Sequence, residues 1–298
     1  MNTRSLWYVA AISTAACSSY QPTAEQEALD LSYGRGETRT VTVNETELTY
    51  IERGKGTPVV LVHGQLSDYR FWGATIDAAS ARYRVVAYSR RYFFPNPSSE
   101  SLPQFGDPTD VPDLIAFIEA LGVSPVHLVG HSSGGHAALL VAIARPDLVR
   151  SLVLAEGGFL AGPGIDTGVA ASRAARALLE ADKGEEAVRT FIDTANGPGA
   201  FDRLTEVERQ ANLDNRMALG LEMSPSPSCE EVGSVAMPTL IVRGDSSPAF
   251  LHAMMDALAA CLPSAEQAMI PNASHLMFVD NPGAFNAALL PFLDANDP

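Results

Sequence analysis

The sequence predicts an α/β chain: a doubly wound, mostly parallel eight-stranded sheet with a helical cap. Three observations lead there. Short apolar or alternating runs of strand length interleave with helical runs from residue 37 to the C-terminus, with no internal repeat. Several of those runs, Pro58 to Val62 and Met237 to Val242 among them, are continuously apolar, which suits strands covered on both faces. The third is Val129-Gly130-His131-Ser132-Ser133-Gly134-Gly135, which joins an apolar run (Val126 to Val129) to an Ala-rich run (Ala137 to Ala144) as strand, tight turn and helix.

In order along the chain, Glu37 to Asn44 alternates Thr38, Thr40 and Thr42 with Arg39, Val41 and Val43 and reads as a strand. After the Glu45-Thr46 turn, Leu48 to Glu52 is a second strand, and Pro58 to Val62 is a third that ends in His63-Gly64-Gln65. Asp68 to Ala79 reads as a helix and Tyr83 to Tyr88 as a strand, followed by Ser89-Arg90-Arg91-Tyr92 and a Pro- and Ser-rich loop to Gly106. That loop lies at the carboxyl edge of the sheet, where ligands bind in open α/β folds, so Tyr92, Phe93 and Phe94 are candidates either for pocket lining or for packing. Val111 to Leu121 places Leu114, Ile115, Phe117, Ile118 and Leu121 on one helical face. Pro146 stops the helix after Ser132, and Arg150 to Ala155 is the next strand.

From Gly157 the composition changes. A Gly-rich stretch to Thr167 precedes helices over Ala170 to Ala181, Glu185 to Ala195 and Thr205 to Met217, and Ser224-Pro225-Ser226-Pro227-Ser228 closes the block. The sheet resumes at Met237 to Val242, then a helix over Phe250 to Leu262, a last strand over Glu266 to Ile270, and a helix over Pro282 to Leu293. The chain therefore divides into 1–17, 18–36, a core of 37–156 with 234–298, and a helical cap of 157–233.

Composition limits the partners. The chain has 298 residues, 46% of them hydrophobic, and a net charge of −15 with no basic run. Nucleic acid is excluded as a partner because phosphate contacts need clustered Lys and Arg. No metal-ligand or nucleotide motif is present, so no metal and no cofactor are implied. The expected partner is a small-molecule substrate, and the sequence is silent on oligomeric state.

Met1 to Arg4 with the short apolar run Leu6 to Ala16 resembles a bacterial export signal, too short to span a bilayer as a mature helix. Thr14-Ala15-Ala16-Cys17 resembles a lipoprotein box, with Thr14 where a large aliphatic is usual. The resemblance implies lipidation at Cys17 and a periplasmic, membrane-anchored protein; plain secretion with cleavage after Ala16 is the alternative. Of three cysteines, Cys229 and Cys261 would remain. They flank one predicted strand, and a bridge between them and a pair of free thiols are both open readings.

Gly130-His131-Ser132-Ser133-Gly134 is a G-x-S-x-G pattern in the strand–turn–helix setting that gives it meaning. Gly130 and Gly134 are read as elbow glycines, small because strand and helix cross closely. With His63-Gly64, Arg145-Pro146 after the elbow helix, Pro238 to Gly244, and His275 before the last helix, the chain from 37 to 295 resembles the α/β-hydrolase superfamily. The resemblance implies that Ser132 is a nucleophile, that His275 is its general base, and that the backbone N–H groups of Gln65 and Ser133 form an oxyanion hole. The third member is open. The family usually carries an Asp three residues past the glycine that ends the seventh strand, and that position is Ser247. Asp245 is only one residue past Gly244, starting about 6–7 Å short at strand spacing. Glu156, directly after the strand beside the nucleophile strand, is the preferred candidate, since some relatives carry their acid there; Asp245 is the alternative.

The leading expectation is a serine hydrolase of small carboxylic esters. Related acyl or C–C bond hydrolysis (thioester, lactone, vinylogous diketone) is the alternative within enzymes. A non-catalytic ligand-binding protein of the same fold is the alternative outside them.

Overall fold

The computed structural model describes residues 38–96, 108–162, 164–221 and 223–298. The export-signal and linker assignments, Cys17 included, and most of the Pro- and Ser-rich loop lie outside the described residues.

The predicted fold class stands. Eight strands form one sheet: β1 (Thr38–Val43), β2 (Thr46–Arg53), β3 (Pro58–Val62), β4 (Arg84–Tyr88), β5 (Val126–His131), β6 (Val149–Ala155), β7 (Thr239–Gly244) and β8 (Glu266–Ile270). They lie in the order β1-β2-β4-β3-β5-β6-β7-β8. β1 pairs antiparallel with β2 and β2 with β4, and every later pairing is parallel. The continuously apolar runs β3, β5 and β7 occupy the interior of the sheet and are buried almost throughout. Edge strand β8 is largely exposed.

Helices cover both faces. One face holds α2 (Asp110–Leu121), α3 (Ser132–Ala144) and, later in the chain, α9 (Ala249–Cys261), packed through Phe117, Leu139, Met255 and their neighbours. The other holds α1 (Gly73–Ala79), α10 (Met277–Asp280) and α11 (Pro282–Ala295), packed around Trp72, Phe278 and Phe285. Trp72 stacks on Phe278 at 4.1 Å between ring centres.

Between β6 and β7 lie α4 (Ile165–Glu180), α5 (Gly184–Asn196), α6 (Ala200–Arg203), α7 (Glu206–Asp214) and α8 (Cys229–Gly233). Most of these helices share a small core of their own, built on Ala175, Val188, Ile192 and Phe201, into which Leu66 of the main body inserts. α4 starts at Ile165, earlier than the glycine content suggests, because Gly164 turns the chain at φ 89° immediately before it. The helix expected over Thr205 to Met217 stops at Asp214. Asn215 leaves helical geometry to donate to buried Asp68 at 2.8 Å and to accept from the Phe94 N–H at 2.8 Å, and a 3-10 turn follows over Arg216–Gly220. The helix expected from Asp68 is likewise split: Asp68 caps a 3-10 turn over Tyr69–Trp72, and α1 begins after it.

Candidate active site

Ser132 sits at the junction of β5 and α3 with φ 51°, in the left-handed region that a side-chain-bearing residue adopts at a cost. The turn is tight enough to exclude side chains on both glycines. A Cβ on Gly134 would come within 2.2 Å of the His63 carbonyl oxygen, and one on Gly130 within 2.6 Å of the Gly135 Cα. Gly64 is held just as closely, 2.9 Å from the Ser132 Cβ by the same construction. The loop after β3 is thereby pressed against the elbow, and Gln65 and Ser133 line the same cavity as Ser132.

His275 follows β8 and lines this same cavity. Its Nδ1 lies 2.7 Å from Glu156 Oε2. Glu156 is fully buried directly after β6, and its other carboxylate oxygen accepts the Gly244 N–H at 3.0 Å. The residue holds φ 43°, and its own N–H donates to Val242 O at 3.0 Å. So the backbone is turned sharply while both carboxylate oxygens are satisfied, one by the end of β7 and one by the imidazole.

Asp245 does not join the pair. Its side chain is exposed, and its carboxylate accepts from Ser246 Oγ at 2.8 Å and the Ala273 N–H at 3.3 Å. One residue past the strand, it faces outward. Ser247, at the usual acid position, is buried with its hydroxyl unpartnered among the described residues.

The neighbouring histidines are structural. His131 lies against the His275 ring, 4.5 Å between centres, and donates Nε2–H to the His275 carbonyl oxygen at 2.9 Å. Burial, with the nearby His275 adding to it, holds its pKa well below the usual imidazole value, so it supplies a neutral floor. His63 accepts the Arg90 N–H on Nε2 at 2.9 Å and donates Nδ1–H to Gly64 O at 2.8 Å, bracing the loop that carries Gln65. Burial lowers its pKa as well. His136 accepts the Phe159 N–H on Nδ1 and donates Nε2–H to Ser224 O, tying together the two ends of the β6–β7 insertion.

The cavity encloses about 720 Å3 including its mouth. Phe159, Phe191, Leu219, Phe250 and Met254 form much of its wall, and among the described residues no Asp, Glu, Lys or Arg lines it. Among the described residues its aromatics come from the insertion, its entry and α9, and Phe93 and Phe94 are not among them. Phe93 instead packs against His63 at 4.7 Å, and Phe94 carries the Arg70 guanidinium over its ring. A smaller cavity shares Gln65, Ser132 and His275 with it and adds Asn212 and Leu276. Among the described residues no cluster of three or more metal-ligating side chains occurs.

Cys229 and Cys261 form a disulfide that joins the first residue of α8 to the last of α9.

Comparison with known proteins places this site in context. Residues 59–288 match the model of the alpha/beta hydrolase family. The RutD protein of Caulobacter sp. strain K31, named provisionally for carbamate hydrolysis, is 27% identical over 260 residues, covering 79% of this chain and 90% of that one. The BpoC protein of Mycobacterium tuberculosis H37Rv, named provisionally as a non-heme bromoperoxidase, is 27% identical over 271 residues, covering 82% and 97%. Among solved structures, a thermophilic esterase from Thermogutta terrifontis superposes with a TM-score of 0.73 at 22% identity, covering 88% of this chain and all of that one. Carboxylesterase CesB from Bacillus subtilis superposes with a TM-score of 0.71 at 18% identity, covering 91% and 95%. At those identities the structural likeness speaks for the fold.

Proposed function

The chain belongs to the alpha/beta hydrolase family and is an enzyme of hydrolase type, and from that premise we propose that it cleaves small, uncharged carboxylic esters through an acyl-enzyme on Ser132. In this reading the Ser132 hydroxyl attacks the ester carbonyl while His275 takes its proton, and Glu156 holds the imidazole with Nδ1 protonated so that Nε2 is free to accept. The Gln65 and Ser133 N–H groups receive the charge that forms on the carbonyl oxygen. His275 then protonates the departing alcohol. Water, deprotonated by the same imidazole, releases the acid and regenerates Ser132.

The observation that carries the proposal is the buried Glu156–His275 pair at 2.7 Å, opening with Ser132 onto one apolar cavity. The cavity also supports the substrate class. A ligand carrying a free carboxylate would meet no Lys or Arg on these walls, and desolvating it would cost several kcal/mol. An uncharged acyl group loses nothing of that kind and gains about 25 cal/mol for each Å2 of apolar surface buried. The helical insertion of 157–233 is read as the cap that sets the size of that group. The carboxylate missing at Ser247 was the feature that favoured a non-catalytic binder, and Glu156 removes that argument by supplying a partner to the histidine.

Intact-mass measurement after exposure to a fluorophosphonate is the direct test. One adduct on the wild type and none on Ser132→Ala is the expected result. A folded wild type that takes no adduct rules the acyl-enzyme out.

Export to an oxidising compartment, with a lipid on Cys17, belongs to the same proposal. It is supported by the Cys229–Cys261 disulfide, a bond that persists outside the reducing cytosol. The mass of the mature protein would carry the lipid or would begin at Cys17 without it.

A further inference from the structure

We propose that Arg90 is a positioning residue for the oxyanion hole, fixing the Gln65 N–H through the Gly64 carbonyl and the Ser133 N–H through the Ser133 hydroxyl. This rests on the acyl-enzyme reading above. Arg90 follows β4 and is 2% exposed. One guanidinium nitrogen, Nη2, lies 3.1 Å from Gly64 O and 2.9 Å from Ser133 Oγ. A single buried group thus touches both residues whose N–H groups would hold the oxyanion.

The Gly64–Gln65 peptide shows how the contact acts. Its carbonyl oxygen accepts from His63 Nδ1 at 2.8 Å, Ser67 Oγ at 3.1 Å and Arg90 Nη2 at 3.1 Å. The cis peptides among the described residues are Phe94-Pro95 and Ser124-Pro125, so this bond is trans, and its N–H points opposite to its C=O. Three donors on the oxygen pin the peptide plane with the Gln65 N–H turned the other way, and Gln65 itself lines the cavity that holds Ser132. A cationic donor on the oxygen also draws electron density from the amide and strengthens its N–H as a donor. On the other side, the hydroxyl of Ser133 is held by the same nitrogen, which fixes the first turn of α3.

A buried guanidinium is an expensive way to fill space. Its Nη1 is paired with Asp110 at 3.0 Å, its face lies 4.4 Å over the Phe93 ring, and its Nε has no partner among the described residues. An apolar side chain of similar volume would avoid the desolvation and the unmet donor. The charge therefore has its use where its contacts lie, between the two strands of backbone that bind the oxyanion.

The test uses the full chain, a neutral nitrophenyl ester, a trifluoromethyl ketone that forms an oxyanion-bearing adduct with the serine, and the carboxylic acid product as a ground-state ligand. Arg90→Met should lower kcat about 10- to 100-fold, below the full loss of an oxyanion donor, with KM within about twofold. Ketone affinity should fall by the same factor, while product affinity stays. Arg90→Lys, a point charge in place of a fork, should recover part of the loss. Ser67→Ala, which removes one of the three donors and little else, should lower kcat and ketone affinity together by a few-fold. A folded Arg90→Met with wild-type kcat, or one whose kcat falls without loss of ketone affinity, overturns the proposal. Where Arg90→Met fails to fold, Ser67→Ala decides: parallel losses support the proposal and unchanged values overturn it. A wild type that neither reacts with fluorophosphonate nor binds the ketone overturns the acyl-enzyme reading first, and this one with it.

Discussion

Glu156 holds a backbone angle that a side-chain-bearing residue rarely adopts, φ 43°, and every polar atom of its carboxylate is committed. An amide in its place would set an NH2 group against either the Gly244 N–H or His275 Nδ1. If the amide donates to Nδ1, the imidazole carries its proton on Nε2 and can no longer accept from Ser132. Glu156→Gln should therefore reduce kcat by about 10⁴ with little change in KM, the behaviour of a triad held in the wrong tautomer. Asp245→Asn should stay within about threefold, because that carboxylate is exposed and bonded to its own turn. Steady-state kinetics on both variants decides, and the reverse pattern would return the role to Asp245. The gathering of Ser132, Glu156 and His275 at one edge was legible in sequence because Ser132 and Glu156 directly follow β5 and β6 and His275 lies five residues past β8, all at the carboxyl ends of parallel strands. Arg90 was not. Its partners come from the loop after β3, from α2 and from α3, and no spacing in the sequence links them. The same holds for His131, whose partner is the histidine that arrives from 144 residues later.

At the level of elements, strand positions were legible to within about two residues, β2 and β7 among those displaced by two, since apolar runs between turn residues admit few boundaries. Helices were less so where a polar residue is recruited elsewhere. α7 ends early because Asn215 serves Asp68, and nothing in the local sequence announces a partner 147 residues away. α8 was missed although its signal is present: Ser228 and Glu231 form a reciprocal capping box. This short helix is pinned by the disulfide from Cys229 to Cys261, which closes a loop of 32 residues. A closed loop of that length removes about 3–4 kcal/mol of chain entropy from the unfolded state. The Cys229→Ser, Cys261→Ser double variant should accordingly lose about 2–4 kcal/mol in urea unfolding while Ser132 still takes the fluorophosphonate. A loss below about 1 kcal/mol would mean that packing of Val232, fully buried on α8, holds the helix without the bridge.

For the molecule as a whole, one sheet with helices on both faces followed from periodicity and run length, but the polar interior did not. Five histidines are buried, and four of them, His63, His127, His131 and His136, lie outside the Glu156–His275 pair. Burial is the leading cause that lowers the pKa of each of these four, and for His63 and His131 the lowering is large. The sign of the consequence follows from linkage. Above about pH 6.5 folded and unfolded imidazoles are both neutral and stability does not depend on them. Below that value the unfolded chain takes up protons that the folded chain refuses, so stability falls with pH by up to about 1.4 kcal/mol per unit for each such histidine. His63 and His131 alone would give nearly 3 kcal/mol per unit, a large share of the roughly 5–15 kcal/mol that holds a folded domain together. The carboxylates held low by arginine partners, Glu52 among them, act in the same direction only near and below their own range, around pH 4.5. Asp280, raised mainly by burial, opposes them there. In 0.15 M salt, where charges more than about 8 Å apart are screened, the net charge of −15 contributes little to the slope. Urea midpoints should thus be level from pH 8 to 7 and drop steeply between pH 6.5 and 5. A midpoint unchanged down to pH 5 would mean that these imidazoles accept protons inside the fold, and the neutral floor assigned to His131 would have to be given up.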